Sequence, residues 1–117
     1  MPKPLEGIRV LDLTSVLAGP FCMGVSVLAQ NAGKKSVTVN LKELKGKELF
    51  IKLVESADVI VENFRPGVMA RLGVDYETLK SINQTLIYCA ISGFGQDGPW
   101  VHRPAYDQII QGVSGVM

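Results

Sequence analysis

Four short aliphatic runs, each separated from the next by a stretch with helical spacing, constrain this chain more than any other feature. They are Ile8–Leu13 (IRVLDL), Ser36–Leu41 (SVTVNL), Ala57–Val61 (ADVIV) and Leu86–Ile91 (LIYCAI). Runs of this length, rich in β-branched residues and bounded by turn formers, read as strands. After the first run, Thr14-Ser15 and VLAGP lead into an apolar stretch ending at Gln30, with Pro20 suited to a first helical turn. Lys42–Ser56 carries Leu44, Phe50, Ile51, Leu53 and Val54 between charges and predicts an amphipathic helix, weakened at its start by Gly46. Shorter helices are predicted over Val68–Leu72 and Tyr76–Ile82. Ala105–Met117 begins helically, with Gly112 and Gly115 set against its second half. The order β-α-β-α-β-α-β-loop-α, with strands that are continuously aliphatic, predicts an α/β fold. Its sheet is expected to be mostly parallel, with helices on both faces.

Composition narrows the function classes. The 117 residues suit one small domain, 47% hydrophobic and 20% charged, and the net charge of +1 supplies no footprint for nucleic acid. Cys22 and Cys89 stand far apart among apolar neighbours and are expected to be buried free thiols. The opening MPKPLEG lacks the apolar core of a signal peptide, and the longest apolar run, Phe21–Ala29, is interrupted and too short for a membrane span. A cytoplasmic protein without a membrane association is expected. No residue is assigned to a metal and no prosthetic group is implied.

The segment ISGFGQDGPW contains Gly93, Gly95 and Gly98, which spell G-x-G-x-x-G. A dinucleotide site needs a helix to begin inside that pattern and receive the pyrophosphate. Pro99 and Trp100 follow directly and Pro104 soon after, so the glycines read as a loop at a strand's carboxyl end, not as an NAD fingerprint. Ligands of open α/β sheets bind outside those carboxyl ends. The first strand is followed by Thr14 to Pro20, the third by Glu62-Asn63-Phe64-Arg65-Pro66-Gly67 with Arg71 beyond, and the last by the glycine loop, His102 and Arg103. Arg65, Arg71 and Arg103 suit phosphate oxygens, because a guanidinium pairs well with them. The competing reading makes each a solvated surface arginine, and His102, with no acid or nucleophile at telling spacing, reads as loop surface.

PLEGIRVLDLTSVLAGPF, VENFRPG and ISGFGQ-x-GP, taken in sequence, resemble the N-terminal part of the family III CoA-transferases, relatives of formyl-CoA transferase, carnitine CoA-transferase and α-methylacyl-CoA racemase. The resemblance covers nearly all of this chain and implies that residues 1–117 form part of a Rossmann-like CoA-binding domain, with no second domain. By position it implies CoA contacts from Leu17, Ala18, Val39, Lys42, Asn63, Phe64, Arg65, Arg71, Arg103 and Tyr106. It implies acyl-CoA and a small carboxylic acid as substrates, with coenzyme A itself a substrate and not a bound cofactor, and a homodimer of interlocked chains for the full-length family. Tyrosine at position 106, where racemase relatives carry a catalytic histidine, favours the transferase branch.

Two departures from the family pattern bear on activity. After Gln30 the chain runs straight into NAGKKSV, where the family carries a further strand and loop of roughly thirty residues, about one βα unit. The family's nucleophile, an aspartate, falls further along than any residue of this chain, and Asp107 is not it. No catalytic residue is therefore expected here, and the chain is read as the CoA-binding part of a CoA-transferase. The alternative is a non-catalytic CoA- or nucleotide-binding module, or a degenerate fragment acting through a partner chain.

Overall fold

The computed structural model describes residues 5–15 and 33–116. The expected helix ending at Gln30, Cys22, and the expected contacts Leu17 and Ala18 lie outside the described residues. Among those described, three strands form a parallel sheet in the order β1 (Val10–Asp12), β2 (Val59–Glu62), β3 (Ile87–Ala90). Val10 stands opposite Val59, and Val59 opposite Ile87. Four helices flank them: α1 (Leu44–Val54), α2 (Val68–Leu72), α3 (Tyr76–Ile82) and α4 (Asp107–Ser114). This is a Rossmann-like α/β arrangement, with each parallel step made through an intervening helical connection, as parallel pairing requires.

Strand alternation decides which side chains build the core. Ile60 is fully buried, and Phe50 and Val54 from α1, Met69 from α2 and Leu79 from α3 close over it with Ala57, Val74 and Leu86. Phe50 and Val54 are four residues apart and so share one face of α1. Asn83, just past α3, donates from Nδ2 to the carbonyls of Val54 (3.1 Å) and Ala57 (2.8 Å), while its Oδ1 accepts from Thr85 N–H. One amide thus ties the end of α3 to the end of α1, serving Ala57 C=O and adding a second donor to Val54 C=O, which also accepts from Ala57 N–H. On the opposite sheet face Val10 and Ile87 remain 50% and 62% exposed, so the described helices build their core on the Ile60 side. Cys89 lies in register with Val61 on that same opposite face and is exposed as well as free, which corrects the expectation of a buried thiol.

Residues 36–41, expected as a strand, form none. Alternation favours an extended backbone, but a strand exists only where a neighbouring edge shares its hydrogen bonds. Here the segment is held by a turn onto α1. Asn40 accepts from Glu43 N–H through its carbonyl (3.2 Å) and from Lys42 N–H through its side chain (3.1 Å), while Val39 and Leu41 pack against the core. Gly46 permits the contact: a Cβ there would lie 2.0 Å from the Asn40 carbonyl oxygen. The glycine that weakens the helix on propensity is what lets the preceding segment cross it. α4 runs through Gly112 and stops where Gly115 adopts φ +78°.

Candidate functional site

The carboxyl ends of β1, β2 and β3 lie side by side, and short polar bonds fix the loops that leave them. Beyond β1, Asp12 Oδ1 accepts from the Thr14 backbone (2.9 Å) and hydroxyl (2.6 Å), turning the chain sharply. Beyond β2, Asn63 Oδ1 accepts from Ser15 N–H at 2.8 Å and its Nδ2 donates to Ser15 C=O at 2.7 Å. The Asn63 side chain therefore clamps the loop leaving β1 to the VENFRPG loop by two bonds. Phe64 is half-buried against the core, which anchors the loop and leaves Arg65 exposed.

Period-two alternation from Ile60 carries Glu62 to the inner face, where it is only 4% exposed. Its Oε2 accepts from Phe64 N–H (2.7 Å) and its Oε1 from the Tyr88 hydroxyl (3.4 Å). Burial, reinforced by the charge of Glu62, pushes the Tyr88 phenol well above the ordinary tyrosine range, so it stays protonated and donating. Reading the motif for exposed contacts passes over Glu62, yet the Ile60–Glu62 spacing places it inside.

Glu62, Arg65, Asp75, Tyr76, Tyr88 and Gln96 contribute to an open groove of about 570 Å³ beside β3. Tyr76 and Tyr88 form a tilted ring pair with centroids 5.7 Å apart. Of the expected CoA contacts that lie among the described residues, the groove brings in Arg65 alone. Arg71 lies in the last turn of α2, its Nη1 3.6 Å from where a side chain on Gly67 would begin. Lys42 is exposed at the start of α1 and Val39 is half-buried. Arg103 and Tyr106 sit further along, in the loop after β3 and at the N-cap of α4. Among the described residues, Arg65, Arg71 and Arg103 make no ion pair with a carboxylate, and Arg103 lies over the Trp100 ring.

The glycine loop is built for turns and close packing. A Cβ on Gly93 would fall 1.8 Å from Ala105 Cβ, while Gly95 and Gly98 adopt φ of +83° and +90°. No helix opens within it; the next one begins at Asp107. His102 is exposed in this loop, and the Ser92 hydroxyl is buried with no hydrogen-bond partner among the described residues. Among the described residues, no group of His, Cys, Asp and Glu side chains is gathered to hold a metal, and no helix is long and apolar enough to cross a membrane.

A parallel Rossmann-like sheet with its strand carboxyl ends side by side and clamped loops leaving them is the architecture whose ligands bind outside those ends. Residues 23–117 match the model of CoA-transferase family III, and the chain belongs to that family. It is 42% identical to the acetyl-CoA:oxalate CoA-transferase of Acetobacter aceti over 151 residues, covering 99% of this chain and 38% of that protein. It is 37% identical to the human succinyl-CoA:glutarate CoA-transferase over 148 residues, covering 98% of this chain and 34% of that one. The crystal structure of a CAIB/BAIF family protein from Brucella suis superposes with a TM-score of 0.85 at 36% identity, covering all of this chain and 40% of its own. The chain therefore spans little more than a third of the length of these relatives. The aligned stretches are longer than its 117 residues, so the relatives carry additional residues within the matched region.

Proposed function

We propose that this chain is the CoA-binding part of a family III CoA-transferase, holding the nucleotide end of an acyl-CoA outside the carboxyl ends of β1, β2 and β3. The observation that carries this reading is the two-bond Asn63–Ser15 clamp within VENFRPG, which holds the loops after β1 and β2 together while Arg65 stays exposed and free of carboxylates. In this reading Arg65, Arg71 and Arg103 meet the phosphates, and Leu17, Ala18, Val39, Lys42, Phe64 and Tyr106 shape the rest of the site. Asn63 serves chiefly as the clamp. The residues that the relatives carry in addition form a βα unit inserted after Gln30, and the full-length protein pairs as a homodimer of interlocked chains.

The reaction is carried by the remainder of the relatives' length. An aspartate carboxylate there attacks the acyl-CoA thioester carbonyl, and CoA thiolate leaves as a mixed anhydride forms. The thiolate then attacks the aspartyl carbonyl, releasing the donor acid and leaving an enzyme thioester. An acceptor carboxylate repeats the two steps in reverse and departs as its CoA ester. This chain contributes binding and orientation, which turn an encounter in solution into a positioned attack.

An exchange assay separates the parts. Incubated with succinyl-CoA and oxalate, the chain alone is expected to form no oxalyl-CoA; measurable turnover would contradict the assignment of the nucleophile elsewhere. Isothermal titration with CoA is expected to weaken about tenfold on Arg65→Ala and on Arg71→Ala, as loss of a charge-assisted contact predicts. Equal affinity in all three proteins would remove the arginines from the site.

A further inference from the structure

Within the loop that follows β3, Trp100 is held from two sides. The Phe94 ring meets it edge-on, with centroids 5.5 Å apart and planes at 90°, and Arg103 Cζ stands 4.8 Å from its ring centroid. The Arg103 backbone N–H donates to the Trp100 carbonyl at 2.9 Å, closing the turn that brings guanidinium and indole together. Gly93 against Ala105 pinches the loop at its base, so the three side chains occupy a closed excursion and not an open tail. Trp100 is nevertheless 43% exposed and contributes nothing to the core. Among the described residues its ring meets Phe94 and the Arg103 guanidinium.

A guanidinium lying over an aromatic ring is held through its planar face and its charge, and its N–H fork stays free for a planar or tetrahedral anion. An exposed arginine otherwise samples many rotamers, and fixing them on binding costs affinity. From this geometry we propose that Trp100 is a positioning residue, holding the Arg103 guanidinium ready for a phosphate of CoA. The inference rests on the CoA-binding reading above and deepens it, since Trp100 acts only through Arg103.

Trp100 is the only tryptophan in the sequence, so its fluorescence reports on this pair directly. The emission of the free chain changes on Arg103→Ala, and CoA perturbs the emission of the wild type but not of that variant. By calorimetry, Trp100→Leu weakens CoA binding about two- to fivefold, the range expected of an exposed cation–π contact. Trp100→Tyr, which restores a ring face, recovers most of that loss. In an Arg103→Ala background Trp100→Leu has no further effect, because the two residues form one device. Circular dichroism confirms that each variant is folded. Unchanged affinity in Trp100→Leu, or the same weakening with and without Arg103, would overturn the positioning role while leaving CoA binding intact. A wild-type chain that binds no CoA would overturn the CoA reading, and this role with it.

Discussion

Two asparagines carry opposite burdens in this domain. Asn83 donates to two backbone carbonyls at and just past the end of α1, and removing it takes the side-chain donor from Ala57 C=O while Val54 C=O keeps the Ala57 N–H. Asn83→Ala is expected to destabilise the fold by about 2–3 kcal/mol, read as a lowered urea midpoint with an unchanged slope. Asn63 clamps exposed loop backbone that water can serve when the side chain is gone. Its replacement by alanine is expected to cost about 1 kcal/mol or less of stability and to show mainly as weaker CoA binding in calorimetry. Asp75 makes a third residue-scale case. The Thr78 hydroxyl holds its carboxyl below the ordinary value of 3.8, against an opposing push from burial. A carboxyl whose folded-state pKa is lowered contributes stability above its unfolded value and loses it as pH falls through the folded one. The loss therefore begins below about pH 4. Asp75→Asn keeps a good cap near neutrality and is expected to flatten that acid limb when urea midpoints are compared at about pH 5 and about pH 3. An identical acid limb in the variant would place the dependence on other carboxyls.

Elements were legible where local pattern and tertiary context agree. The α2 and α3 boundaries match the predicted Val68–Leu72 and Tyr76–Ile82, because glycines or an aspartate cap mark their ends. Gly115 ends α4, as a left-handed C-cap does. Residues 36–41 were misread because alternation records only an extended backbone, and no sequence window records whether an edge is there to receive it. Gly46 was misjudged for a related reason: propensity describes an isolated helix, whereas the Asn40 carbonyl approaches from outside it. Gly46→Ala, helpful by propensity, is expected to destabilise by about 1–3 kcal/mol through overpacking, measured as a lower thermal midpoint. A raised midpoint would mean that the Asn40 crossing yields easily. At the strand ends, VENFRPG and the glycine loop were legible as loops leaving the carboxyl ends of β2 and β3. The burial of Glu62 and the Trp100–Arg103 stack were not, since both depend on which side chains the fold brings face to face.

At the scale of the whole molecule, the described helices build their core on the Ile60 face of the sheet, and the chain spans little more than a third of the relatives' length. Family membership is settled by a match over most of the chain. The central proposal is that this chain recognises the phosphate-bearing end of CoA. Calorimetric titration of the chain with CoA, set beside pantetheine, which has the same thiol arm but no phosphates, tests this most directly. The account predicts saturable CoA binding that weakens as salt is raised, with pantetheine far weaker. Equal binding of the two ligands, or none of CoA, would contradict it.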